Sequence, residues 1–349
     1  MTAPGVPAPR ADLATVTLLA GEQGSDTIEL GDSTNLWGPC PAAIDAIRGM
    51  TGDVSRYPTR YGSDLKEVLA AYHGVSPDEV VTGCGSDDVI RSAMGAFAAW
   101  GDPVGWMDPT FVMIPVFARL LGLDARPVQF TSGFAIDAAA LLATDAAVTY
   151  LCSPNNPTGT AAARDAVARV LDAARGLVVL DEAYADYAGD TWANVAPRHG
   201  RLLVTRTFSK SFGLAGLRVG YGIGHADVVA AIEKVRGPFT LNALAERAAC
   251  AAIVDGVPWM RARAAEAVVN RERLAAELSA LGAPPFPSAA NFVLVPVPDA
   301  RAVAAVALRH GLLIRPFTAL PVVGEAVRMS VGPWPVMERV LAAFREALA

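Results

Sequence analysis

RLLVTRTFSKSFGLAGLRVGYG, residues Arg201–Gly222, starts as a buried strand and breaks at Ser209–Lys210–Ser211. Glycines and one arginine, Arg218, follow. Upstream segments repeat the pattern. GLVVLDEAY (Gly176–Tyr184) begins as a strand, and AVTYLCS (Ala147–Ser153) is a strand ending in PNNPTG. EVVTG (Glu79–Gly83) is a short strand before CGSDD. Between them LKEVLAAYHG, IRSAMGAFAAW and RDAVARVLDAAR read as helices. Apolar strands alternating with helices predict an α/β domain with a mostly parallel central sheet.

After about residue 245 the pattern changes. ERAACAAIVDG and MRARAAEAVVNRERLAAELSALG are helical, NFVLVPV and VRMSVG are strand-like, and VMERVLAAFREAL is a closing helix. The expected organisation is an N-terminal arm (1–35), a large domain (36–245) and a smaller C-terminal α+β domain (246–349).

The 349 residues include 52% hydrophobic and 18% charged side chains, ample for a core, with a net charge of −6. That balance argues against a nucleic-acid or anionic-membrane partner. Cys40, Cys84, Cys152 and Cys250 are far apart and histidines number four, so no metal site or disulfide framework is expected. The cysteine usage fits a reducing, cytoplasmic setting, and the N-terminus, which lacks a basic start, reads as an arm, not a signal peptide.

In open α/β sheets, ligands bind beyond the carboxyl ends of the strands. Four polar clusters fall there: Gly83, Gly85, Ser86 and Asp87; Asn155–Gly159; Asp181 and Tyr184; and Ser209–Ser211. A glycine–serine turn opening a helix offers free N–H groups and a positive dipole to a phosphate. Arg218 adds a charged fork. A carboxylate ending a buried strand needs a cationic partner. A desolvated lysine becomes an amine nucleophile. Together these describe a pyridoxal phosphate site, in which Lys210 carries the cofactor covalently and Asp181 keeps the pyridine nitrogen protonated.

SPNNPTG, LDEAY and TFSKSFGLAGLRVGYGIG, in this order, resemble the fold-type I pyridoxal phosphate-dependent aminotransferases. The chain is most similar to their histidinol-phosphate aminotransferase-like subgroup, which includes aromatic amino-acid aminotransferases. SRYP (Ser55–Pro58), TGCGSDD (Thr82–Asp88), DPTF (Asp108–Phe111), SAANFVLV (Ser288–Val295), LIRPF (Leu313–Phe317) and VRMSVG (Val327–Gly332) extend the likeness along the chain.

The resemblance implies ping-pong transamination between an amino donor, histidinol phosphate or an aromatic amino acid, and a 2-oxo acid such as 2-oxoglutarate. It makes Lys210 the cofactor lysine and proton carrier, with Asp181 on the ring nitrogen. Tyr184 and Asn156 would bond the ring hydroxyl and Phe111 would stack on the ring. Gly85, Ser86, Asp87, Ser209 and Arg218 would hold the phosphate. Tyr57 would reach the phosphate of a second subunit in a homodimer. Arg328 would take the substrate carboxylate, and Arg315 and Trp37 would face the rest of the substrate. Glu182 is read as structural.

Two positions depart from the family pattern. Phe111 stands where tyrosine is usual, and STNLWGP places Trp37 where the subgroup carries an aromatic hydroxyl. The second makes a hydrophobic or aromatic donor a competitor of histidinol phosphate. Transamination in a specialised pathway and a decarboxylase of the phosphothreonine type are the nearest enzymatic alternatives. GYGIGH fails as a dinucleotide fingerprint because histidine replaces the last glycine. A cofactor-sensing regulator would need an added DNA-binding domain.

Overall fold

The computed structural model describes residues 7, 10, 27–50 and 54–349. Most of the expected arm, 1–6, 8–9 and 11–26, lies outside the described residues. The strands in chain order are β1 (Ile28–Glu29), β2 (Val80–Gly83), β3 (Pro103–Asp108), β4 (Asp124–Gln129), β5 (Val148–Cys152) and β6 (Leu177–Asp181). They continue with β7 (Leu202–Thr207), β8 (Gly220–Gly224), β9 (Phe292–Pro296), β10 (Leu312–Leu313), β11 (Arg315–Leu320) and β12 (Gly324–Ser330).

Seven strands form the central sheet in the order β2-β8-β7-β6-β5-β3-β4. All pairings from β7 to β4 are parallel, while β8 runs antiparallel to both β7 and β2. The fold is the expected α/β class, with a mostly parallel sheet. β6 and β7 are buried along their whole length, as strands covered on both faces should be. The helices Gly85–Phe97, Met113–Leu120 and Arg164–Ala173 make the crossovers.

Strands β3, β4 and β8 carry no clear sequence signal. β4 is an exposed edge holding Asp124, Arg126 and Pro127, residues that discourage further pairing at an edge. β8 is GYGIG, where close packing requires the glycines. A Cβ on Gly220 would lie 2.3 Å from the Ser86 nitrogen, and one on Gly222 would press on Val81, Val89 and Leu203 at 3.0 Å.

Strands β11-β12-β9 form a second, antiparallel sheet. With the helices Ala300–Arg309 and Trp334–Ala347 it encloses a separate core that includes Leu274, Val293, Val295, Met337 and Phe344. β1 pairs in parallel with β10, so the chain enters beside this sheet. Residues 31–37 then pass from the second sheet to the first. The Asn291 Nδ2 donates to the Ser33 carbonyl at 3.1 Å, and the Asn35 Nδ2 donates to the Ser211 carbonyl at 2.8 Å.

Candidate active site

Register brings the strand ends into one line. Cys152 on β5 lies opposite Asp181 on β6, which lies opposite Thr205 on β7. Thr207 pairs with Gly220, and Gly220 with Gly83 on β2. Asp181 is buried, and its carboxylate accepts from the Tyr150 hydroxyl at 2.7 Å, the Ala183 amide at 3.1 Å and the Thr205 hydroxyl at 3.3 Å. Burial raises its pKa to about 6 against the pull of these donors. Those three donors are neutral, so the buried carboxylate, when ionised, would gain from a cation.

Lys210 follows β7. Its Nζ donates to the Asp32 carbonyl at 2.7 Å and sits 5.6 Å from the centre of the Tyr184 ring. Desolvation, then the nearby Arg328 charge, lower its pKa to about 8. Tyr184 is buried with its ring edge-to-face on Phe292, and burial raises its phenol well above the ordinary value. Beneath the lysine lies a buried ionic cluster. Arg206 bridges Asp186 and, at 3.4 Å, Glu182; the Ser211 hydroxyl donates to Asp186 at 2.5 Å. Glu182 also accepts from the Trp192 amide at 2.6 Å and the Thr191 hydroxyl at 2.5 Å. The Ser211 bond to Asp186 thus ties the turn carrying Lys210 to this cluster, of which Glu182 is a member.

Helix Gly85–Phe97 begins beside Ser209 and Arg218. Gly85 adopts φ +80°, and a Cβ there would lie 2.7 Å from the Arg218 guanidinium. Arg218 itself has φ +52°, a left-handed conformation costing a non-glycine residue about 1–2 kcal/mol. Its guanidinium reaches Asp87 at 3.2 Å and the Ser209 hydroxyl at 3.5 Å. The Thr207 hydroxyl donates to Ser209 at 3.0 Å. Helix start, Ser209 and Arg218 therefore converge on one spot suited to an anion. Gly220→Ala would push a methyl into the backbone of this helix start. The expected result is a loss of about 1–3 kcal/mol of stability, with weaker phosphate capture. Urea unfolding and cofactor titration measure both, and an unchanged unfolding midpoint would show that the approach relaxes freely.

On the opposite wall, Arg328 on β12 is buried, donates to the Asn156 side-chain oxygen and the Gly31 carbonyl, and keeps its Nε without a partner. Phe292 and Phe317 flank it, with ring centres 5.3 and 5.9 Å from the guanidinium carbon. Burial lowers its pKa. Arg315 pairs in register with Arg328 and meets Asp32 at 3.4 Å. Trp37 is partly buried, its amide on the Asn35 side chain at 2.9 Å and its indole N–H without a partner. Phe111, just past β3, packs partly buried against the core around Trp106 and Ile114.

The structure thus brings Gly85, Ser86, Asp87, Asn156, Asp181, Tyr184, Ser209, Lys210, Arg218, Arg315 and Arg328 into one neighbourhood. Tyr57 stands apart within the protomer, 80% exposed and stacked on Phe239 at 4.6 Å. Sequence reading missed Tyr150, Thr205, Asp186, Arg206 and the Asp32 carbonyl. Tyr150 and Thr205 lie inside apolar strands, and only strand register reveals their partner. No cluster of metal-ligating side chains occurs among the described residues, and none of their helices is long and apolar enough to cross a membrane.

Residues 25–344 match the family described as aminotransferase class I and II. The chain belongs to that family. The aminotransferase is 36% identical over 321 residues to histidinol-phosphate aminotransferase 2 of Thiobacillus denitrificans, covering 89% of each chain. It is 37% identical over 332 residues to an aromatic amino acid aminotransferase of Corynebacterium glutamicum, covering 92% of this chain and 94% of that one. The solved histidinol-phosphate aminotransferase of Sinorhizobium meliloti, in complex with pyridoxal-5'-phosphate, superposes with a TM-score of 0.85 at 28% identity, covering 92% of this chain and 90% of the other.

Proposed function

We propose that the aminotransferase moves the amino group of a hydrophobic or aromatic amino acid to a 2-oxo acid by a ping-pong route, with pyridoxal 5'-phosphate as cofactor. The residues present fit that cofactor. Asp181 is a buried carboxylate whose hydrogen-bond donors are all neutral. Gly85 and Gly220 occupy places a Cβ would fill. Lys210 is an amine shifted toward neutrality. In this reading Asp181 holds the ring nitrogen, Asn156 and Tyr184 the ring hydroxyl, and Phe111 one ring face. Ser209, Arg218 and the Gly85–Ser86–Asp87 backbone hold the phosphate.

When bound, the cofactor supplies an aldehyde for the amino group and a protonated ring that accepts the electron pair released at Cα. Asp181 keeps that ring cationic by its own negative charge. Lys210, as the neutral amine, takes the proton from the donor Cα. Burial lets it act near neutral pH. Arg328 orients the donor by a charge-assisted pair with its carboxylate.

The carrying observation for the donor class is the surroundings of Arg328: a guanidinium with an unpaired Nε, walled by Phe292 and Phe317. That combination suits an α-carboxylate followed by an apolar side chain. Tyr57 and Phe239, with Val54 and Leu244 also exposed, support a homodimer in which Tyr57 reaches the other subunit's phosphate.

The test is the half-reaction. Holoenzyme is mixed separately with phenylalanine, tyrosine, leucine, glutamate, arginine and histidinol phosphate, and conversion of the cofactor from aldehyde to amine is followed by absorbance. Phenylalanine and tyrosine are expected to convert it fastest. A clear lead for histidinol phosphate would overturn the donor class, and no conversion by any donor would overturn transamination.

A further inference from the structure

The outer end of the substrate cleft carries a charge balance of its own. Arg315 and Arg328 lie directly opposite on β11 and β12, and directly opposed residues project from the same sheet face. Arg328 is the inner, buried cation; Arg315 is the outer one, its side chain 46% exposed. The two are close enough for Arg315 to depress the pKa of Arg328. A donor reaching past Arg328 along this face meets Arg315 next.

Arg315 is not left free for an anion. Its Nη2 reaches the Asp32 carboxylate at 3.4 Å. A second carboxylate, Glu29, lies within electrostatic range of both Asp32 and Arg315. Glu29 folds back to accept from the Gly31 amide at 2.5 Å and the Asp32 amide at 3.1 Å. The outer end therefore holds one cation and two acidic groups.

Asp32 is also fixed in place. Its carbonyl accepts from Lys210, the Gly31 carbonyl from Arg328, and the Ser33 carbonyl from Asn291. Three residues from three separate parts of the chain, Lys210 after β7, Asn291 just before β9 and Arg328 on β12, pin consecutive carbonyls of residues 31–33. The carboxylate at 32 thus stays beside Arg315 because its backbone is tied to the catalytic wall.

We propose that Asp32 is a specificity-determining residue: it occupies Arg315 and turns the cleft against donors with a phosphate at their far end, favouring an uncharged one. The inference deepens the reading of Arg328 as the carboxylate site and rests on it. A phosphate brings a charge of −1.5 to −2 at neutral pH, and placing it beside a fixed carboxylate is repulsive. Because the Arg315–Asp32 pair is about half exposed, solvent and salt screen part of that repulsion. The expected effect is accordingly about tenfold in selectivity, the size of a partly screened charge contact.

The experiment compares kcat/KM for histidinol phosphate and for phenylalanine, with 2-oxoglutarate as acceptor, in the parent holoenzyme, Asp32→Asn and Asp32→Asn/Arg315→Ala. Asp32→Asn keeps the backbone carbonyl that meets Lys210. The ratio of histidinol phosphate to phenylalanine should rise about tenfold in Asp32→Asn and fall back toward the parent value in the double variant. A ratio unmoved or lowered by Asp32→Asn overturns the proposal. The donor reading fails separately: a parent enzyme preferring histidinol phosphate overturns that reading, while the shift in Asp32→Asn still decides the role of Asp32. A parent inert to both donors overturns both.

Discussion

Lys210→Ala lowers the rate of transamination by about 10³-fold or more, the range for losing a positioned acid–base group, while the variant still takes up the cofactor. The two outcomes separate because different residues carry them. On the proposed reading, phosphate capture belongs to the start of helix Gly85–Phe97 with Ser209 and Arg218, which meet at 3.5 Å, and the ring anchor to Asp181. Proton removal at Cα belongs to the amine alone. Single-turnover absorbance measures the rate, and borohydride trapping followed by peptide mapping locates the modified residue. Turnover within tenfold of the parent, or trapping at another lysine, would remove Lys210 from its assigned role. The pH dependence has a definite sign. Burial and Arg328 lower the amine to about 8 from 10.5. Between those values the unfolded chain holds a proton that the folded chain has released, so this group's contribution to stability rises with pH across that window. Below about 8 the amine is increasingly charged, and covalent capture of the cofactor slows as pH falls.

Most residues of the candidate site were legible because they sit at the ends of largely buried strands. β6 and the first half of β7 are short apolar runs, and the polar residues at or beyond the strand ends, Asn155 after β5, Asp181 and Ser209–Ser211, stand out by contrast. What remained hidden depends on register or on distance along the chain. Tyr150 bonds Asp181 from within its own apolar strand. Thr205 does so only because β7 is set against β6 with Thr205 opposite Asp181. β8 looks like a turn by composition, yet Gly220 makes the space for the start of helix Gly85–Phe97, where a Cβ would meet the Ser86 nitrogen at 2.3 Å. β4 has too many charges to read as a strand because it is an edge. Asp32 is separated from Lys210 by 178 residues, and nothing local in GDSTN announces a carbonyl for a lysine or a carboxylate for an arginine.

Asp181→Asn should reduce the rate by about 10²–10³-fold, the scale for removing one preorganised electrostatic group from an active site. Asparagine preserves shape and most hydrogen bonding to Tyr150 and Thr205, so the lost feature is the charge opposite the ring nitrogen. The native carboxylate has a pKa near 6 when no cation faces it, because burial outweighs three neutral donors. From about pH 4 to pH 6 the folded chain then keeps a proton that the unfolded chain has lost, so this group's contribution to stability falls as pH rises through that window. A cation at the ring nitrogen reverses the penalty by holding the carboxylate ionised. Cofactor loading should therefore raise Tm more at pH 7.5 than at pH 5. Covalent capture by Lys210 also strengthens as pH rises, so the comparison is cleanest in the Lys210→Ala background, where only the non-covalent anchors remain. There the pH-dependent gain in Tm should shrink when Asp181→Asn is added. An equal gain at both pH values with Asp181 present, or unchanged turnover in Asp181→Asn, would show that the carboxylate does not balance the heterocycle's charge.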